Sequence, residues 1–167
     1  MSDGQRLPGV GREAIMPIDW ETNLVDDDAG IRAILEECRR VAVLGIKTEA
    51  QAGQPAFEVP RYLADHGYDV VPVPVYYPDV ERILGRPVYR RVQDVPGGVD
   101  LVDVFRRPHD IPPHVEDLIA ARPKAVWFQL GIRNDAAARR LAEAGIRVVQ
   151  DRCTLVEHRR LVGRPIA

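Results

Sequence analysis

Five short apolar runs rich in β-branched residues alternate with helix-patterned segments along this chain, and that alternation limits its fold more than any other feature. The runs VAVLG (41–45), DVVPVPV (69–75), VDLVDVF (99–105), KAVWFQL (124–130) and IRVVQ (146–150) read as strands. A helix is predicted ahead of the first run, capped within 26–28 and ending near Arg39, because Ile31, Ile34, Leu35 and Cys38 recur at i, i+3, i+4 and i+7. Further helices are predicted over 55–66, closed by Gly67, within the proline-started IPPHVEDLIAARP, over NDAAARRLAEAG between an Asn134 cap and Gly145, and over TLVEHRRL. Strand and helix repeated in this way require crossover connections, which make the strands parallel and cover both faces of one sheet. The expected fold class is α/β, a three-layer Rossmann-like sandwich with a mainly parallel sheet of about five strands.

Two segments resist the simple pattern. Pro60 lies inside the second helix, where proline is unfavourable, so that helix should begin nearer Glu58 than Pro55 or bend at the proline. The connection 76–98 carries Ile83, Leu84, Val88 and Tyr89, which suit a short packed excursion better than disorder. Residues 1–26 lack sustained periodicity and read as an N-terminal arm that Met16 and Trp20 could tack down, leaving 27–167 as the domain.

At 167 residues and 46% hydrophobic content, one domain can bury roughly 70% of its unfolded surface without a disulfide or metal. The net charge of −2 supplies no global attraction to nucleic acid or membrane, and no apolar run approaches the roughly 20 residues needed to cross a bilayer. Cys38 and Cys153 lack zinc-type spacing, the four histidines are dispersed, and nothing N-terminal resembles a cleaved leader, so a cytoplasmic, reduced protein is expected. Function must come from a site.

In parallel sheets, ligands bind beyond the carboxyl ends of the strands. The residues there are Gly45, Ile46, Lys47 and Thr48 after the first strand, Val75, Tyr76 and Tyr77 after the second, and Phe105, Arg106 and Arg107 after the third. Gln129, Gly131 and Ile132 follow the fourth, and Asp151, Arg152 and Cys153 the fifth. Lys47, Arg106, Arg107 and Arg152 against the single carboxylate of Asp151 favour a polyanion. A helix start after the first strand would add phosphate-binding N–H groups, although the full G-x-G-x-x-G pattern is absent and Gly45 could serve a tight turn alone. A nicotinamide site usually has an acidic residue ending the second strand, where this chain has VPVPVYYP and Asp79 comes too late. A phosphorylated adenosine ligand that needs no such carboxylate, such as coenzyme A, fits better.

VAVLG, YLADHGYDVVPV, ILGRPVYRRVQDVP, VDLVDVFRRP, AVWFQLGIRN and VVQDRC stand in this order between Ile31 and Leu161. In that order they resemble the stand-alone CoA-binding domain proteins, whose fold is also similar to the N-terminal domain of the succinyl-CoA synthetase α subunit. The resemblance implies a CoA or acyl-CoA site at which Gly45, Ile46, Lys47 and Thr48 meet phosphate or ribose and the helix start at Pro55 and Ala56 supplies N–H groups. It also implies that Val75 and Tyr76 flank the adenosine, and that Phe105, Arg106, Arg107, Gln129 and Gly131 complete the site. The chain departs from the family at Ile46, Lys47 and Ala56, where serines are common, and at 75–78, where Val-Tyr-Tyr-Pro replaces the usual Asn-Pro.

The function expected is non-catalytic binding of free CoA or a CoA thioester, for sensing, buffering or delivery. The alternatives are the CoA-carrying component of a split acyl-CoA ligase or transferase, and a nicotinamide- or nucleotide-responsive regulator. In succinyl-CoA synthetase the phosphohistidine belongs to a second domain, so the resemblance implies that a single domain of this kind is not expected to act as a ligase alone. A homodimer is compatible with the sequence. Cys153, ahead of a helix and beside Arg152, is a candidate for a mixed disulfide with the CoA thiol, and burial is its ordinary alternative.

Overall fold

The computed structural model describes residues 19–166. Strands β1 (Arg40–Leu44), β2 (Asp69–Val73), β5 (Leu101–Val104), β6 (Ala125–Phe128) and β7 (Arg147–Val149) form one parallel sheet in the order β2-β1-β5-β6-β7. Between β2 and β5, β3 (Arg82–Ile83) and β4 (Arg86–Pro87) make a small antiparallel hairpin. The α/β sandwich is the one expected; β1 is as long as its apolar run but begins one residue earlier, and the other main strands are two or three residues shorter than theirs. Two prolines in DVVPVPV suit only an edge strand, and β2 is indeed at the edge and stops before Pro74.

Helices α1 (Asp28–Glu37), α2 (Pro55–Asp65) and α5 (Thr154–Leu161) cover one face, and α3 (Val115–Ala121) and α4 (Asp135–Glu143) the other. Alternation along each strand feeds both layers: Val41 and Val43 pack with Ile31, Ile34 and Leu35, while Ala42 and Leu44 pack with Leu118 and Leu141. The caps follow the expected chemistry. Asp27 accepts from the Gly30 N–H at 3.2 Å to start α1, and Asn134 accepts from Ala137 at 3.0 Å to start α4. The first helix ends at Glu37, leaving Cys38 as its buried C-cap.

Helix α2 does not wait for Glu58. It begins at Pro55 and continues through Pro60 to Asp65. Pro60 has no N–H for the carbonyl of Ala56, and the backbone N–H of Lys47 donates to that carbonyl instead, at 3.1 Å. The proline is thus accommodated by the loop after β1, which it ties to the helix start.

The excursion packs as its apolar residues suggest: Ile83 is fully buried, Leu84 and Val88 lie against the α1/α2 side, and Tyr89 against the other. Residues ahead of α1 also meet the sheet. Trp20 lies under the Arg139 guanidinium, 4.6 Å from ring centroid to Cζ, and Leu24 bridges Val148 in parallel at the β7 edge. Met16 falls outside the described residues.

Candidate functional site

Chain order reverses between β1 and β5: the connection after β1 leads outward to β2, and the chain then returns on the other side of β1 to β5. Loops leaving the carboxyl ends of β1 and β5 therefore diverge, and such a switch point opens a crevice. A cleft of about 440 Å³ lies there. Gly45 and Lys47, Pro55 and Ala56, Tyr76 and Tyr77, Phe105 to Pro108, and Gly131 with Ile132 line it.

Gly45 is fixed at this place by its neighbours. Its φ is +87°, and a Cβ would sit 2.3 Å from the Phe105 carbonyl oxygen, which belongs to the adjoining strand end. The close approach of β1 and β5 at their exits thus accounts for the glycine without a ligand. Gly131 is different: its φ of +82° favours glycine, but the space around a Cβ is open, and its N–H already donates to the Asp151 carboxylate at 2.7 Å.

The cationic side chains are unequal. Arg106 is only 13% exposed, and its Nε is buried with no acceptor. Its Nη1 donates to the Tyr76 hydroxyl at 3.5 Å, its Nη2 lies 3.9 Å from Asp110, and its Cζ lies 5.6 Å from the Tyr76 ring centroid. These are long contacts for a guanidinium so far removed from water. Arg107 is exposed and donates to Asp110 at 2.9 Å, and that hydrogen bond holds the Asp110 carboxyl below its ordinary value. Burial and the Arg106 charge together keep the nearby His114 imidazole below its usual value, so it adds no second cation at neutral pH. Lys47 has no carboxylate partner among the described residues, and its ammonium is held by the Gln54 side-chain oxygen at the cap of α2.

The start of α2 is a poorer donor than the sequence suggests. Pro55 has no N–H, and the amides of Phe57 and Glu58 both donate to Gln54 O at 2.9 Å. Only the Ala56 amide remains for a ligand.

Four residues expected at the site face elsewhere. Ile46 is buried in the α1/α2 side of the core. Thr48 is also buried, and its hydroxyl accepts from the Ala50 N–H at 3.3 Å as the cap of the short 3₁₀ turn Glu49–Gln51, whose Gln51 side chain it also meets at 2.7 Å. Val75 packs on the opposite core. Gln129 is turned inward, where its amide donates to Asp103 at 2.6 Å and Thr154 at 2.8 Å. Arg152, counted with the cationic rim, instead binds Asp26 at 2.9 Å beside Glu157. Cys153 lines a second depression with Leu130, Asp151 and Val156, which adjoins the cleft at Gly131, and is not itself among the residues that line the cleft. Trp127 is fully buried, its indole N–H donating to Arg152 O at 2.7 Å.

The structure also brings forward residues that the strand-end reading passed over. Pro108 lines the cleft, and Asp110 partners its arginines. The Arg-Arg-Pro-His-Asp spacing carried the only available signal, an acidic residue one 3₁₀ turn beyond Arg107. Asp103 could have been noticed as a lone carboxylate within the apolar LVDVF run.

Comparison with known proteins agrees with this architecture. YneT of Bacillus subtilis (strain 168) is 30% identical over 130 residues, covering 78% of this chain and 93% of that protein. Among solved structures, cell-free ID.343 from Thermus thermophilus is 40% identical with a TM-score of 0.74, covering 81% of this chain and 99% of the other. A hypothetical protein from Pyrococcus horikoshii OT3 is 38% identical with a TM-score of 0.74, covering 83% and 94%. The family model described as CoA binding domain matches residues 39–159, a span that holds the whole parallel sheet and every residue lining the cleft, and the chain therefore belongs to the CoA binding domain family.

Proposed function

We propose that the chain binds coenzyme A or an acyl-CoA in the β1/β5 cleft and itself makes or breaks no bond, acting in the cytoplasm to sense, buffer or deliver that ligand. The observation that carries this reading is Arg106: a largely buried guanidinium beside the cleft, with an unpartnered Nε and only long contacts at its other nitrogens. Burying a cation in that state is costly, and a phosphate group would supply the charge-assisted partner it lacks. Lys47 and the free Ala56 amide stand on the same cleft, and Arg107 can turn from Asp110 towards an anion. The apolar surfaces of Phe105, Pro108 and Ile132 suit the less polar parts of such a ligand.

Calorimetric titration with CoA, with NAD and ATP as comparators, tests the reading. CoA should bind most tightly, and Arg106→Ala should weaken it by roughly ten- to a hundredfold, the range set by one charge-assisted hydrogen bond. Saturation by NAD or ATP with no heat from CoA would overturn the proposal. An unchanged CoA affinity in the alanine variant would remove Arg106 from the site.

A further inference from the structure

The tyrosine wall of the cleft lies on neither a helix nor a strand of the sheet. Residues 76–80 form an irregular loop, and Tyr77 within it has φ +64°, a left-handed conformation that disfavours a bulky side chain. Four carbonyls of this loop converge on one side chain from outside the cleft lining. Arg90 Nη1 donates to Tyr76 O at 3.1 Å, and Nη2 donates to Tyr77 O at 2.9 Å, Pro78 O at 3.3 Å and Val80 O at 2.9 Å. The neighbouring Tyr89 N–H donates to Pro72 O at 3.0 Å, so the clamp is itself anchored on the β2 edge.

The rigid planar fork matters here. Two nitrogens of one guanidinium can face carbonyls spread over five residues, whereas a lysine ammonium at the same reach is a single point. Arg90 is exposed, so each bond competes with water and is individually modest. Their shared effect is to hold Tyr76 in place. Tyr76 is 59% exposed, and its ring stands beside the Arg106 guanidinium, offering an aromatic face next to a cation on the cleft. Such a face suits a planar base attached to phosphate.

We propose that Arg90 is the positioning residue of the tyrosine wall, and that through Tyr76 it governs recognition of the adenine base of the ligand; this second half rests on the CoA reading above. Arg90 acts through the loop and touches no ligand.

Arg90→Lys tests this because it keeps the charge and removes the fork. In the ligand-free protein, hydrogen exchange at the Val80 amide, which donates to Tyr77 O at 3.1 Å, should accelerate in the variant while amides of β1 and β5 are unchanged. CoA affinity should fall roughly three- to tenfold, and affinity for 4′-phosphopantetheine, which lacks the adenosine, should stay within about twofold of wild type. Equal loss for both ligands would mean a general disturbance and overturn the recognition role. Unchanged exchange at Val80 would overturn the proposal whatever binds. If the wild-type protein binds no CoA, the recognition role falls with the CoA reading, and faster Val80 exchange still assigns the wall to Arg90.

Discussion

The Gln129 side-chain amide donates to the Asp103 carboxylate at 2.6 Å, and the Thr154 hydroxyl donates to the other oxygen at 3.0 Å, joining β5, the end of β6 and the first turn of α5. Asp103 is fully buried, and no cation pairs with it among the described residues. Burial pushes its carboxyl up to about 7, against the lowering effect of those two hydrogen bonds.

A stability slope should follow. The folded protein holds the Asp103 proton more tightly than the unfolded chain, whose aspartates titrate near 3.8. The stabilisation is therefore complete below about pH 4 and is lost as pH rises to about 7. Asp103→Asn, which can still accept from Gln129, should remove a change on the order of 4 kcal/mol from this window. Urea midpoints of both proteins from pH 4 to 8 measure it, and parallel curves would show that Asp103 does not titrate in that range.

His158 should give the opposite sign. It is buried against Tyr62, whose hydroxyl lies 2.8 Å from Nδ1, and its ring is 5.4 Å from that of His66. Burial first, and the His66 charge second, hold its imidazole below the ordinary value. Its contribution is full above the unfolded value of 6.5 and declines as pH falls below it. His158→Gln should flatten the stability curve below about pH 6.5. An acid limb as steep as that of wild type would assign it to other groups.

Gly45→Ala and Gly131→Ala should differ although both glycines have positive φ. At position 45 a Cβ meets the Phe105 backbone oxygen at 2.3 Å, so strain and a clash combine, whereas at 131 only the conformation resists. The expected losses are about 3 kcal/mol or more for the first and about 1 kcal/mol for the second. Thermal unfolding compares them, and equal melting temperatures would contradict the close packing of the two strand exits.

The two thiols should separate by reactivity. Burial, with Asp100 second, pushes the Cys38 thiol up to about 11, and the side chain is inaccessible; Cys153 is half-buried at a surface depression. Native protein should take up one equivalent of a small maleimide at Cys153, and urea-unfolded protein two. Because Cys153 lies outside the cleft lining, saturating CoA should not slow its labelling or yield a disulfide adduct. Strong protection by CoA would place the ligand across both depressions.

Much of this molecule was legible from local pattern. The crossover topology followed from alternating strand and helix periods, and the Asp27 and Asn134 caps from side chains that reach amides three residues away. The rim itself could be located because crossover folds leave their ligand crevices at strand ends, and Gly45, Lys47, Pro55, Ala56, Tyr76, Phe105, Arg106, Arg107 and Gly131 do line one cleft. Pro60 suggested a start of α2 nearer Glu58 as one alternative, and the helix instead starts at Pro55 because the carbonyl that the proline strands is satisfied by Lys47, thirteen positions earlier in the chain.

Which way each rim side chain turns was a matter for the tertiary structure alone. Arg106 and Arg152 are the same residue type in the same kind of position, yet Asp26, distant in sequence, captures Arg152, while nothing comparable satisfies Arg106. Gln129 is drawn into the core by Asp103 and Thr154, each about 25 residues away along the chain. Periodicity and capping depend on neighbours within a turn or two, so the sequence displays them directly. The direction of a long polar side chain depends on which distant partner the folded chain brings within hydrogen-bonding reach, and only the assembled sheet decides that.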